Sequence, residues 1–255
     1  MLKICLNNGT KMKTLLKYRK NYFSQNGEDG VIEEILIRLG IKQGWFVEFG
    51  AWDGIHLSNT YELVKKGWKG VEIEGDENKF KELKNNLSDY KENITHMCAY
   101  VHYGGGNNSI DSLLSQTEIS KDFELISIDI DSYDWHIWND LRNYSPKIVI
   151  IEINSSIPPG IEQIHFPTEN KQGSSFTSTL ELGIQKGYTL VCHTGNLIFV
   201  RNELVEKLNL PDKELNNPES LFINTWIPKT GLNLFISKFF IFFKGIVRFI
   251  VEYIK

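Results

Sequence analysis

The chain of 255 residues is poor in cysteine, in arginine and in uninterrupted apolar runs. Its three cysteines, Cys5, Cys98 and Cys192, stand far apart with no C-x-x-C spacing, which speaks against a disulfide framework or zinc knuckle and fits a reducing compartment. Only five arginines are present, and 28 Lys and Arg against 32 Asp and Glu leave a formal charge of −4, so no global positive field draws the protein to nucleic acid. The basic N-terminus, MLKICLNNGTKMKTLLKYRK, has no apolar stretch of signal-peptide length, and the expected location is cytoplasmic. Neither G-x-G-x-x-G nor G-x-x-x-x-G-K-[ST] occurs, which leaves a pyrophosphate cradle and a P-loop without support. What is present, 41% hydrophobic and 24% charged residues, is the balance of a soluble globular chain.

Four parts are expected: an N-terminal arm over 1–23, a domain over 24–204, an extension over 205–234 and a helix over 235–255. Ser24 with Glu28 close behind, then Val31, Ile32, Ile35, Leu36 and Leu39 stopped by Gly40, predict an amphipathic helix. Short apolar runs then alternate with helical patterns, the sequence form of a parallel sheet covered on both faces. Strands are predicted over 45–49, 70–74, 96–101, 125–130, 147–153, 188–193 and 197–201, with helices over 58–66, 77–87, 109–116, 135–141 and 177–186. Only Thr194 to Asn196 separate the last two strands, so an α/β series closes on a tight hairpin. That order resembles the Rossmann-like class I methyltransferase sheet, seven strands with an antiparallel last one.

The first predicted strand ends in EFGAWDG, Glu48 to Gly54. Glycine at this turn permits positive φ and close approach of backbone to a ligand, and the helix beyond it offers free N–H groups. The second strand ends in Glu74, whose carboxylate can accept both hydroxyls of a ribose. With no phosphate to bind, the negative Glu48 and Asp53 suit a cationic sulfonium and α-amino group, so S-adenosylmethionine is the ligand whose charge fits. Gly50, Ala51, Gly54, Asn59, Gly75, Ala99 and Asp129 complete the expected cofactor contacts.

SQNGEDGVI, FVEFGAWDG, SNTYELVKKGW and GVEIEGDENKF, followed by ISIDIDSYDWHIW, IVIIEINSSIPP and NLIFVR, resemble the FkbM-type branch of S-adenosylmethionine-dependent methyltransferases over Ser24 to Arg201. The resemblance implies methyl transfer to oxygen, often on a sugar or polyketide-like acceptor, with cofactor contacts at Glu48, Gly50, Asp53 and Glu74. Trp52 stands where such proteins often carry a small polar residue, and Gly75 where a proline is common.

Alternation puts Asp129 and Asp131 on one face of the fourth strand, and Glu152 and Asn154 on one face of the fifth. Two functional readings stay open. Asp129, Glu152 and Asn154 could hold Mg²⁺ against vicinal hydroxyls of the acceptor, as in metal-dependent sugar O-methyltransferases, which this arrangement resembles. Without metal, Asp131 or His136 acts as general base. A third reading leaves these groups structural, with Asp131 and Asp134 capping a helix from Trp135. Trp135 and Trp138 face the core or form a sugar-stacking platform. The irregular, proline-containing stretch Ser155 to Ser175 reads as a lid or binding loop from which His165 and Glu169 reach the acceptor, or as packed surface.

In FISKFFIFFKGIVRFIVEYIK, residues 235–255, the polar positions Ser237, Lys238, Lys244, Arg248, Glu252 and Lys255 fall within about one third of a helix circumference at 100° per residue. Lys244 and Arg248 argue against a spanning helix, so peripheral contact with the inner membrane face is expected, with packing on the domain or in a homodimer as the rival. The leading function is S-adenosylmethionine-dependent O-methylation of a glycan, glycolipid or related metabolite. The alternative is a non-catalytic methyltransferase-like binding module in surface-polysaccharide assembly.

Overall fold

The computed structural model describes residues 15–130, 133–166 and 173–227. Seven strands, β1 (Trp45–Phe49), β2 (Lys69–Glu74), β3 (Ile94–Cys98), β4 (Leu125–Ile128), β5 (Ile148–Glu152), β6 (Tyr188–His193) and β7 (Asn196–Arg201), alternate with α1 (Glu28–Leu39), α2 (Tyr61–Lys65), α3 (Glu77–Asn86), α4 (Ile110–Leu114), α5 (Asp134–Asp140), α6 (Phe176–Gln185) and α7 (Asp212–Leu215). They form one sheet in the order β3-β2-β1-β4-β5-β7-β6. β1 to β5 pair in parallel, and β7 runs antiparallel to both β5 and β6. Gly195, at φ 124°, makes the turn between the last two strands.

Strand alternation sorts the core into two layers. Val47, Phe49, Val71, Ile73, Ile126, Ile128, Val149 and Ile151 face α4, α5 and α6, where Ile110, Ile137, Trp138 and Phe176 are fully buried. Phe46, Leu125, Ile148 and Ile150 face α1, α2 and α3 through Val31, Ile35, Leu63 and Leu83. Leu15 is fully buried in this second layer, so the expected arm packs on the domain from that residue onward. Val205, Leu208 and Leu221 of the expected extension are buried as well.

Local structure departs from the sequence expectations at four places in particular, the first being α2, which starts at Tyr61 rather than at residue 58. α1 starts at Glu28, after Gly27 at φ 93°, rather than at Ser24; the buried Asp29 carboxylate collects the N–H groups of Tyr22, Phe23 and Ser24 at 2.8–2.9 Å and holds the incoming chain. β3 begins and ends earlier than predicted, because as an edge strand it is only partly buried and its apolar pattern is weak. α5 begins at Asp134, whose Oδ1 accepts from the Ile130 N–H at 2.8 Å and so ties the helix to the end of β4. Among the described residues no helix is long and apolar enough to cross a membrane; the expected helix over 235–255 lies outside them.

Candidate active site

The strand order sets the loops after β1, β2, β3 and β4 side by side at one edge of the sheet. In parallel sheets this carboxyl edge is where ligands bind. The turn after β1 is built on three successive left-handed residues at every second position: Gly50 (φ 67°), Trp52 (φ 49°) and Gly54 (φ 77°). Gly50 is needed for space, since a Cβ there would lie 1.9 Å from the Asp129 carbonyl oxygen. Ala51, buried, donates its N–H to the Ile73 carbonyl at 3.2 Å. Asp53 Oδ1 accepts from the N–H groups of Ile55 (2.9 Å) and His56 (2.7 Å), closing the turn.

Glu74 is fixed at the end of β2. Its Oε2 accepts from the Trp52 N–H at 2.9 Å and its Oε1 from the Asp76 N–H at 2.7 Å. Each carboxylate oxygen has a further lone pair for a hydroxyl donor. Gly75 follows directly, and Ala99, donating its N–H to the Glu74 carbonyl at 3.0 Å, brings the chain after β3 alongside. A cleft of ≈ 530 Å³ lies on the far side of β3, between His96 to Ala99 and the stretch Asn107 to Gln116 that includes α4; neither Glu74 nor the Gly50–Gly54 turn lines it. Gly50, Ala51, Asp53, Glu74, Gly75, Ala99 and the Asp129 backbone thus share one edge.

Glu48 and Asn59 lie deeper, both 4% exposed. The Glu48 carboxylate accepts from Ser58 Oγ (2.6 Å), Thr60 Oγ1 (2.8 Å) and the Asn59 N–H (2.9 Å), while Asn59 Nδ2 donates to Ser127 Oγ at 3.0 Å. This network pins the chain entering α2 across β1 and β4. Burial pushes the Glu48 carboxyl up to about 7, against the three donors that favour its charge and with the Asp129 charge adding to the rise. Glu72, its register partner on β2, is fully buried and is held well above the usual carboxylate range by burial and by Glu48. Sequence reading missed Glu72, Ser58 and Thr60; the signal for Glu72 was an acid between Val71 and Ile73 in an otherwise apolar strand. Gly54 packs toward Leu83 and Leu87, and these contacts tie the loop to α3.

On the other half of the edge, Asp129 is half-buried beyond β4 and Glu152 half-buried at the end of β5. Asn154 Oδ1 accepts from the Ser156 N–H and hydroxyl, so its amide serves the turn that follows β5. Asp131 and Glu169 lie outside the described residues. Among the described residues no three His, Cys, Asp or Glu side chains stand together as a metal site. Trp138 is fully buried core, and Trp135 packs against that core with its Nε1 donating to the Ser178 carbonyl at 3.0 Å, so of the two readings for this pair the core one holds.

His136, 9% exposed, sits in an aromatic collar that sequence spacing did not reveal. Tyr103 stacks on it (4.5 Å between centroids, 21°), and Phe166 meets it edge-on at 5.3 Å. Its Nε2 lies 2.8 Å from the His165 carbonyl oxygen. A carbonyl only accepts, so Nε2 carries the hydrogen and Nδ1 is the basic nitrogen of the neutral ring.

No family model and no curated protein matches the sequence. Among solved structures the chain is similar to the glycopeptide N-methyltransferase MtfA, at 13% identity over 72% of this chain and 94% of that one, with a TM-score of 0.41. It is similar also to precorrin-6y C5,15-methyltransferase from Geobacter metallireducens, at 12% identity, 71% and 90% coverage and a TM-score of 0.41. A third neighbour is the N-terminal domain of EvdMO1 solved in the presence of SAH and D-fucose, at 10% identity, 69% and 82% coverage and a TM-score of 0.43. The strand order β3-β2-β1-β4-β5-β7-β6 and the reversed β7 decide the fold. The fold is the Rossmann-like fold of class I methyltransferases.

Proposed function

We propose that the protein is an S-adenosylmethionine-dependent O-methyltransferase of the FkbM type, acting on a hydroxyl of a glycan, glycolipid or related metabolite. The observation that carries this reading is the Glu74 carboxylate, held by two backbone N–H groups beside a left-handed glycine turn at the carboxyl edge of the sheet. A ribose diol fits that carboxylate, the Gly50–Gly54 turn leaves room for close backbone approach, and Asp53 and Asp129 give the edge a negative character suited to a cationic donor. The donor, when bound, supplies a methyl group on a positively charged sulfur. Glu74 orients the nucleoside, and the buried Glu48 network keeps the turn in place. His136 takes the acceptor's hydroxyl proton at Nδ1 as the oxygen gains the methyl, its Nε2–H held by the His165 carbonyl. Asp131 is the second candidate for that proton. Mg²⁺ has no part in this reading, since among the described residues no three His, Cys, Asp or Glu side chains gather.

Calorimetry with S-adenosylhomocysteine tests the donor half. Binding is expected for the full chain, and Glu74→Ala should weaken it by about 1.5–3 kcal/mol, roughly 10- to 150-fold. Unchanged affinity in the variant would remove Glu74 from the site. Transfer of labelled methyl from S-adenosylmethionine to a panel of glycans and glycolipids tests the acceptor half; binding with no transfer to any of them would favour the non-catalytic module.

Membrane association of the segment 235–255 belongs to the same reading, since it would hold the enzyme near a lipid-linked acceptor. The full chain should co-sediment with vesicles containing anionic lipid, and a chain ending at Leu234 should not. If both stay in the supernatant, the membrane role of this segment is wrong.

A further inference from the structure

Two carboxyls lie side by side on the face of the sheet that α1, α2 and α3 cover. Glu48 on β1 and Glu72 on β2 are register partners, so their side chains leave neighbouring strands toward the same face, and both are buried. One hydroxyl lies between them: Thr60 Oγ1 is 2.8 Å from Glu48 Oε2 and 3.4 Å from Glu72 Oε1. A threonine hydroxyl has a single hydrogen, and the shorter contact claims it for Glu48. Glu48 also accepts from Ser58 Oγ and the Asn59 N–H, whereas Glu72 Oε2 has no hydrogen-bond partner among the described residues. A buried carboxylate without a donor loses its hydration and gains nothing in return, so it takes a proton instead. Glu72 is therefore the neutral acid, and its O–H is left to donate to Thr60 Oγ1 while Thr60 donates to Glu48.

The surrounding charges leave that assignment in place. His96, the register partner of Glu72 on β3, has its imidazole pushed down by burial and by the Lys84 charge of α3, so it supplies no counter-charge near neutral pH. Asp129 beyond β4 adds only a like charge toward Glu48. On α1 the Asp29 carboxylate is taken up by the N–H groups of Tyr22, Phe23 and Ser24, and on α2 Glu62 pairs with Lys65 and Lys66.

We infer that the Glu48–Glu72 pair carries one negative charge, placed on Glu48 by Thr60, and that this charge makes the site prefer the cationic methyl donor to its demethylated product. The inference rests on the donor reading above and adds to it the residues that set donor against product. Glu48 stands two residues before Gly50, and from its buried position its charge acts across a low-dielectric wall rather than by contact. The donor bears a positive sulfur and the product a neutral one, so the two ligands differ by the charge that Glu48 senses.

The test measures the affinities of S-adenosylmethionine and S-adenosylhomocysteine for the full chain from about pH 6 to 8.5. Burial lifts the Glu48 carboxyl to about 7, so the affinity ratio in favour of the donor should rise through that pH by at least about 3-fold. Thr60→Val removes the hydroxyl and should move the rise upward by about one pH unit, and Thr60→Ser should return it. Glu72→Gln should leave the curve where it is, because a neutral amide donates to Thr60 as the neutral acid does. Ionisation of the ligands' own amino groups is common to every variant and cancels in the comparison. A natural curve with no rise, or a rise that a folded Thr60→Val leaves unmoved, would overturn the inference while leaving the donor reading intact. So would a Glu72→Gln curve displaced by about one pH unit or more, since it would show that Glu72 is charged in the natural chain. A natural chain that binds neither ligand overturns the donor reading and this inference with it.

Discussion

Gly50→Ala should cost the fold several kcal/mol and abolish binding of S-adenosylhomocysteine, the largest effect expected of any single methyl group in this chain. Two independent penalties add. A left-handed conformation at φ 67° costs a residue with a Cβ about 1–2 kcal/mol. The added methyl would also stand 1.9 Å from the Asp129 carbonyl oxygen and 3.0 Å from its carbon, and these are backbone atoms just beyond β4, which pairs with β1 through Phe49 and Ile128. Relief requires the loops after β1 and β4 to part, which moves the donor and acceptor halves of the site together. Gly54→Ala carries a similar left-handed penalty at φ 77° but meets only side chains, Leu87 at 3.0 Å for its Cδ1 and Leu83 at 3.4 Å for its Cγ, and should be milder because leucines can rotate away. Urea unfolding of both variants, with calorimetry on whatever remains folded, measures the contrast. A loss below about 1 kcal/mol in Gly50→Ala would mean that the contact relaxes freely and is no constraint on the site.

The contrast between those two glycines shows which parts of the site were open to sequence reading. Both stand in EFGAWDG, and spacing alone marks them equally as turn glycines. What separates them is a neighbour about eighty residues away at Asp129 and another about thirty away at Leu87, neither of which a local pattern can report. The sheet was legible for the opposite reason: period-two burial and the three-residue gap before Leu197 are local, and β1, β5, β6 and β7 fall within a residue or two of expectation. β3 slipped because an edge strand with His96 and Met97 half-exposed has little alternation to read. The order of loops at the carboxyl edge follows from topology, so Glu74 and Asp129 were correctly expected at that edge. The depth of a side chain does not follow from it. Glu48 looked like a ligand contact from its position before the glycines, whereas its three donors at Ser58, Asn59 and Thr60 turn it inward. The collar around His136 is assembled from Tyr103, Tyr133, His165 and Phe166 on three separate segments, and only the packed chain brings them together.

His193→Phe should destabilise the protein near pH 7.5 and should cease to do so near pH 4. His193 ends β6, is 1% exposed and holds the chain after β7 in place. Its Nδ1 accepts from the Ile223 N–H at 2.8 Å, which makes Nε2 the protonated nitrogen, 2.9 Å from Ser155 Oγ; that hydroxyl in turn donates to the Gly195 carbonyl at 2.8 Å. A second proton would have to enter at Nδ1 against the Ile223 N–H. Burial pushes the imidazole down to about 4, with the Arg19 charge adding to the fall and a backbone hydrogen bond at Gly195 opposing it. The unfolded chain takes its proton near 6.5. Between those two values the unfolded state binds a proton that the native state refuses, so stability falls as pH drops from 6.5 to about 4, by about 3 kcal/mol in all. Glu28, Glu48 and Glu72 act with the opposite sign, because burial raises their carboxyls above the unfolded value and their contribution weakens as pH rises from about 4.5. The natural chain's own pH profile is thereby flattened, and only the difference between it and the variant isolates His193. Phenylalanine keeps the stacking on Phe222, now 4.9 Å between centroids at 12°, and removes the titrating group while leaving Ser155 and the Ile223 N–H short of a partner. The expected cost is about 2 kcal/mol at pH 7.5, vanishing or reversing by pH 4. Denaturant unfolding of the two proteins across pH 4 to 8 measures it, and a cost that stays constant over that range would show that His193 titrates normally in the folded protein.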